Sequence, residues 1–331
     1  MKDSWNMERT VLIVLGVLVS GVAGPAISAD VAYPTRPIRI VDAFPPGGPS
    51  DIVGRSISPR LSEALGQPVV IDNRGGAAGV VGCDIVAKAA PDGYTLLLGP
   101  SGALTIQPSL SSKLPYHPQR DFEPVTQLTS GPQVIAVNPA VPAKSVQELI
   151  ALAKAKPGQL NYASGGTGTA NHLAAEVFKL AAGIEIVHVP YKGTGPALGS
   201  VVSGETQMIV SSLLPALPHV KSGKLRALAV TSTSRSSAVP DVPTAAESGL
   251  PRFETSSWHG ILAPARTPRT IITRLHDQIV KVLHLPDVRE RLISQGLNVV
   301  ASTPQAFAAY IRSETAKYAR VIKQVGIKPE A

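Results

Sequence analysis

Ile38-Arg39-Ile40-Val41-Asp42-Ala43-Phe44-Pro45-Pro46-Gly47-Gly48-Pro49-Ser50-Asp51 is the stretch whose reading decides the fold. Ile38, Ile40 and Val41 are β-branched, Ala43 and Phe44 are apolar, and Pro45 to Gly48 stop the run, so a strand is predicted over 38–44. Ser50 is placed to cap a helix that runs to Leu65 and is closed by Gly66. Pro59 lies within that helix and predicts a bend or a split. Residues 68–72 read as a second strand, 73–79 as a Gly-rich loop and 80–89 as a second helix. Gly93 then turns the chain into a third strand over 94–98. Strands alternating with helices predict a mostly parallel sheet with helices on its faces.

The alternation restarts downstream. Residues 133–137 read as a strand, and Ser145 with Glu148 three positions on is a capping box for the next helix. A short strand over 161–163 runs into Ser164-Gly165-Gly166-Thr167-Gly168-Thr169 and a helix over 170–181. Residues 184–189, 206–211 and 225–230 supply further strands, and beyond about Glu254 the pattern turns mainly helical. Helices open at Thr267-Pro268, at Pro286 or Asp287, and at Thr303-Pro304. In the last, Phe307, Ile311, Tyr318, Ile322 and Val325 form a stripe expected to pack on a sheet. Such a late return implies two lobes, with the chain crossing between them twice.

Composition agrees with that size. A chain of 331 residues is long enough for two or three domains. Its 44% hydrophobic and 16% charged content excludes a disordered chain. The one long apolar run, residues 11–23, is shorter than the ~18 residues of a spanning helix, which excludes a multi-span membrane protein. Lys2 and Arg9 precede that run and Ala26-Ile27-Ser28-Ala29 follows it, the pattern of a secretory signal cleaved after Ala29. The signal's charges cancel, so the mature chain keeps the net +8. Its basic residues are scattered without interleaved aromatics, which argues against nucleic acid and for a mild anion bias. Cys83, the single cysteine, allows no internal disulfide and reads as a buried, inert thiol.

Two strand-to-helix loops carry the candidate chemistry: Pro46-Gly47-Gly48-Pro49-Ser50-Asp51, and residues 164–169 followed by Ala170-Asn171-His172. Each sets backbone N–H groups and hydroxyls at a helix N-terminus, where the dipole favours an anion. Competing motifs fail. Gly166-Thr167-Gly168-Thr169-Ala170-Asn171 half-matches the dinucleotide fingerprint but lacks the third glycine and the acid after the next strand. Gly99-Pro100-Ser101-Gly102-Ala103 misses the nucleophile elbow by its last residue. No catalytic or metal set stands out.

A run of further motifs carries a family resemblance. Tyr33-Pro34-Thr35-Arg36-Pro37-Ile38, Leu65-Gly66-Gln67-Pro68, Asp72-Asn73-Arg74 and Ala90-Pro91-Asp92-Gly93-Tyr94 join the first loop. His188-Val189-Pro190-Tyr191-Lys192-Gly193, Gly223-Lys224-Leu225-Arg226-Ala227-Leu228, Asp241-Val242-Pro243-Thr244 and Trp258-His259-Gly260 follow. In this order they resemble the Bug family of tripartite tricarboxylate transporter receptors, over essentially the whole mature chain. The resemblance implies an α/β fold of the type II periplasmic binding protein kind: two α/β lobes, a central cleft, and two crossing strands as hinge. It places lobe 1 at residues 30–130 and 256–331 and lobe 2 at 131–255. It implies a carboxylate gripped by the two loops, and hence ligand contacts from Pro46, Gly47, Gly48, Ser50, Asp51, Ser164, Gly165, Gly166, Thr167, Gly168, Thr169 and His172. Ser101, Tyr191, Ser211 and Ser212 would tune the rest of the cleft.

Two departures bear on the ligand. Pro49 removes one N–H donor, and Ser211-Ser212-Leu213 stands where an acidic partner for an ammonium is common. Carboxylates or hydroxy acids are therefore expected over amino acids. The function implied is an extracytoplasmic receptor, with no cofactor, that delivers a small organic acid to a membrane transporter. It would be periplasmic, monomeric and without a nucleic-acid partner. Two alternatives stay open: a secreted hydrolase using Ser101 or Ser164 with a distant histidine, and a ligand-presenting partner of a membrane sensor kinase.

Overall fold

The computed structural model describes residues 33–327, so the expected signal and its cleavage point lie outside the described residues. The first β-α-β-α-β run forms as the sequence alternates: β1 (Ile38–Asp42), α1 (Pro49–Leu65), β2 (Val69–Asn73), α2 (Val80–Ala87) and β3 (Thr95–Pro100). β1 lies between β2 and β3 and is parallel to both. Gly48, not Ser50, is the N-cap of α1, and Pro49 takes the first helical position, where a missing N–H costs nothing. Gly66 ends the helix in the left-handed conformation at φ +68°. Pro59 neither splits nor ends α1; the helix continues past it, short of the bond to the Arg55 carbonyl.

β3 runs into a π-helical turn (Gly102–Ile106) and the short α3 (Gln107–Leu110). The strand expected at 133–137 is the second half of a 16-residue strand, β4 (Phe122–Val137). Its first half was hidden in the sequence by Pro124 and Pro132; the pairing with β9 is irregular between Pro124 and Thr126 and between Gln127 and Thr129, and Pro132 pairs in regular register with Ser256. Downstream come α4 (Val146–Ala155), β5 (Asn161–Ser164), α5 (Ala170–Ala182), β6 (Val187–Pro190), α6 (Thr194–Ser203), β7 (Met208–Ser212), α7 (Leu213–Lys221) and β8 (Arg226–Val230). The chain returns in β9 (Ser256–Pro264), a strand in a region expected to be helical. It ends with α8 (Arg269–Leu283), α9 (Pro286–Ser294), β10 (Asn298–Val299) and α10 (Pro304–Val325).

The sheet order is β2-β1-β3-β9-β4-β7-β5-β6, with β8 and β10 also on β4. The chain's two passages are visible in the pairing. β4 lies antiparallel to β9 from Phe122 to Pro132, then antiparallel to β7 from Gln133 to Val137. One strand thus belongs to both lobes. Separate cores flank the switch: Trp258, Phe307, Leu97 and Leu262 on one side, Tyr162, Phe178, Ile135 and Phe253 on the other. The α10 stripe divides its packing. Phe307 and Ile311 pack on the sheet core, whereas Tyr318 and Ile322 pack on Ile106, Leu110 and Leu173. Cys83 is buried, and burial pushes its thiol up to about 12. Among the described residues no helix is long and apolar enough to cross a membrane.

Candidate functional site

Four helices of eight or more residues aim their N-termini at one cavity. Its wall includes Gly48, Pro49 and Ser50 of α1, Thr169, Ala170 and Asn171 of α5, Gly193, Thr194 and Gly195 of α6, and Ser212, the N-cap of α7. The first backbone bonds along three of them are Ile52 N–H to Gly48, Leu173 N–H to Thr169 and Ala197 N–H to Gly193. The N–H groups of Ser50, Asp51, Ala170, Asn171, Thr194 and Gly195 precede these and have no acceptor within their helices. Ser101, Gly102, Gln133, Ser257, Trp258 and His259 complete much of the wall of a cavity of about 610 Å³, open space at its mouth included. Among the described residues, no Lys, Arg, Asp or Glu lines it. His259 is buried, which lowers its pKa to about 4 and leaves the ring neutral at pH 7. A ligand anion would meet aligned dipoles and neutral donors.

The sequence-predicted residues divide. Pro46, Gly48, Ser50, Ser101, Thr169 and Ser212 line this cavity. Gly47 and Asp51 instead hold each other: the Gly47 N–H donates to the Asp51 carboxylate at 3.0 Å, and Arg55 donates to its other oxygen at 2.9 Å. The second loop is bonded largely within itself. Gly166 N–H donates to Ser164 Oγ, Gly168 N–H to His172 Nδ1, and the Thr169 hydroxyl to the Gly166 carbonyl. Those groups brace the loop, and the N–H groups left without a helical acceptor are those of Ala170 and Asn171 at the start of α5. His172 is buried behind the loop and stacks on His188 at 4.2 Å. Ser164 is fully buried, 2.6 Å from His188 Nε2, a ring that burial holds neutral with its pKa down to about 4. Ser211 is also buried, turned towards the Ser212 carbonyl. Gly165, Gly166, Thr167 and Tyr191 line a second cavity, which shares Phe44, Pro45 and Gly193 with the first.

Several wall residues escaped the sequence reading. Gly193-Thr194-Gly195 repeats the signal of the two recognised loops, a glycine turn opening a helix, and was legible in principle. Gln133 and Trp258 carry no local signal, because strand pairing alone brings them here. Gly102 carries none either: a Cβ on it would lie 3.3 Å from Ala170 N and 3.4 Å from Gly168 O.

Behind Ser50 sits Asp42, fully buried. Its carboxylate accepts from Ser50 Oγ at 2.7 Å, Phe44 N–H at 3.1 Å and Asn73 Nδ2 at 3.1 Å. Burial outweighs these donors and raises the pKa to about 7. The raised value means that the fold favours the protonated acid. That contribution is complete below the unfolded carboxyl's range near pH 4 and is lost as pH rises through about 7. Asp42→Asn should therefore raise the melting temperature at pH 8, by an amount worth a few kcal/mol, and much less at pH 4. Thermal melts across that range check this; equal shifts at both pH values would refute it.

The profile of the tripartite tricarboxylate transporter family receptors matches residues 53–327. The chain belongs to this family. It is 40% identical to the protein BugT of Bordetella pertussis over 326 residues, covering 98% of this chain and 99% of that one. Among solved structures, a protein of R. palustris with adipate superposes at a TM-score of 0.88 with 35% identity, covering 90% of this chain and all of that one. MatC from Rhodopseudomonas palustris, with bound malate, superposes at 0.84 with 34% identity, covering 88% and 100%. The receptor thus has the two-lobed α/β fold of these binding proteins. Its family comprises solute receptors, not enzymes, which removes the hydrolase alternative.

Proposed function

We propose that the receptor captures one small organic carboxylate in the cavity at the helix N-termini and delivers it to a tripartite tricarboxylate-type transporter from the periplasm. The observation that carries this reading is the convergence of four helix N-termini on a wall without a charged side chain. Each such terminus stabilises an anion by roughly 0.3–1 kcal/mol at an exposed site, and by more where water is excluded. The adipate and malate bound by its relatives are ligands of this chemistry. Among the described residues, those up to 130 with those from 256 onward form one lobe, and 131–255 the other. They close by bending where β4 changes partners at Pro132–Gln133 and where the chain returns just before β9. Ser257 Oγ donates to Ser212 Oγ, and neither brings negative charge for an ammonium, so simple carboxylates bind better than amino acids.

Thermal shift and calorimetry on a panel of mono-, di- and tricarboxylates test the reading. A ligand at about 100 times its Kd should stabilise the fold by ~2.7 kcal/mol. Its neutral amide analogue should not, and succinate should bind more tightly than aspartate. Equal stabilisation by the amide would refute the carboxylate reading, and tighter aspartate binding the selectivity.

A further inference from the structure

Asn171 occupies the second position of α5 and is 5% exposed. Its Oδ1 faces two backbone donors, Gly165 N–H at 3.3 Å and His172 N–H at 3.2 Å. Backbone N–H groups can only donate, so the atom facing them is the oxygen and the amide cannot be turned over. The Thr169 hydroxyl lies on the same oxygen. The Nδ2 group is thereby held on the other side of the amide, buried and without a hydrogen-bond partner. A buried donor left unpaired costs about 1–3 kcal/mol, so an acceptor is missing from this place. Asn171 is part of the cavity wall, beside the free N–H groups of Ala170 and Asn171 itself.

We propose that Asn171 is the side chain that anchors the ligand's carboxylate, donating from Nδ2 while the α5 N-terminus donates from the backbone. The proposal deepens the carboxylate reading above and rests on it. It assigns the anion to the α5 end of the cavity. It also explains the bonding of the second loop onto this side chain: the backbone N–H groups of Gly165 and His172 hold the amide with its oxygen turned to them and its donor left over. The residue acts as a specificity device, because an NH₂ group accepts nothing and so rejects an ammonium or an amide donor at that point.

Asn171→Asp is the discriminating variant. It keeps Oδ1 for Gly165 and His172 but replaces the donor with an acceptor of like charge to the ligand. The tightest binder of the carboxylate panel is titrated into both proteins at pH 8, followed by calorimetry and by the fluorescence of Trp258 on the cavity wall. Affinity should fall at least about tenfold, the range for a lost hydrogen bond to a charged group. The melting temperature without ligand should hold or rise, since an acid in the first turn of α5 suits the helix dipole. Affinity should recover as the pH is lowered and the new carboxyl takes up a proton. A purely structural Asn171 would give the reverse pairing, with the melt lowered and no recovery at low pH. In the unaltered protein, the Asn171 side-chain amide resonances should shift and exchange more slowly with ligand bound, a readout that needs no variant. Affinity within twofold for Asn171→Asp, or amide resonances blind to the ligand, overturns the proposal. If the unaltered protein binds none of the panel, the carboxylate reading fails first and takes the proposal with it.

Discussion

Gly102→Val is expected to weaken carboxylate binding about a hundredfold while leaving the melting temperature of the ligand-free protein nearly unchanged. The nearest atoms to a Cβ at this position are Ala170 N at 3.3 Å, Gly168 O at 3.4 Å and Thr169 Cα at 3.4 Å. All belong to the loop that opens α5. A valine there would push the α5 terminus away from the turn after β3, and with it the N–H groups that face the cavity. Overpacking of a tight contact costs about 1–3 kcal/mol. If the lobes close as proposed, the strain would fall on the closed arrangement and be relieved when they part, so binding would be weakened and folding spared. Pro45 and Gly193 meet in the same manner: a Cβ on Gly193 would lie 3.2 Å from the Pro45 ring, and Gly193 also has φ +116°. Calorimetry beside thermal melts measures both arms. A Gly102→Val protein that binds within twofold of the unaltered one would show that the two loops need not approach for capture.

Gly260→Ala is expected to destabilise the protein by about 3 kcal/mol, without any direct effect on the cavity's donors. Gly260 lies in β9, and a Cβ on it would be 2.2 Å from Phe307 Cζ and 3.0 Å from the Thr126 carbonyl. Phe307 cannot simply step aside. It is fully buried and sits edge-on to Trp258 at 5.4 Å, which Tyr310 flanks at 5.8 Å. Phe307→Ala alone should cost about 3–5 kcal/mol through the cavity it leaves. The two changes share one space, so the double variant should be less destabilised than the sum by at least about 1 kcal/mol. Denaturant unfolding of the four proteins closes the cycle; strict additivity would mean that Gly260 is required for some reason other than Phe307.

Much of the fold was legible because its signals are local. The first strand, loop and helix declare themselves through β-branched residues, a Pro-Gly stop and a closing glycine, and each of these acts over a few residues. The long β4 and the returning β9 were hidden for a related reason. Pro124 and Pro132 are local breakers that the strand nonetheless contains, Pro124 beside an irregular pairing, and β9 is Gly- and Pro-containing and buried on both faces, so it shows no alternation. The helices α6 and α7 were missed because Gly195, Pro196, Pro215 and Pro218 obscure their periodicity.

By itself, the sequence determined that the chain alternates strands and helices, that two Gly-rich loops open helices able to hold an anion, and that its motifs follow one receptor family. Those properties follow from backbone propensity and spacing, which each segment carries alone. Which groups are free to meet a ligand was decided only by the tertiary structure. Thr169, Gly166 and Asp51 look like ligand donors and acceptors in the sequence, but the folded loops consume them in bonds to their own neighbours. Asn171 stands in the second loop without being singled out as a ligand contact, yet packing leaves its Nδ2 an unpaired donor. Burial likewise raises the pKa of Asp42 by removing its water. Hydrogen-bond satisfaction and desolvation depend on which atoms arrive from distant segments, and no local reading supplies them.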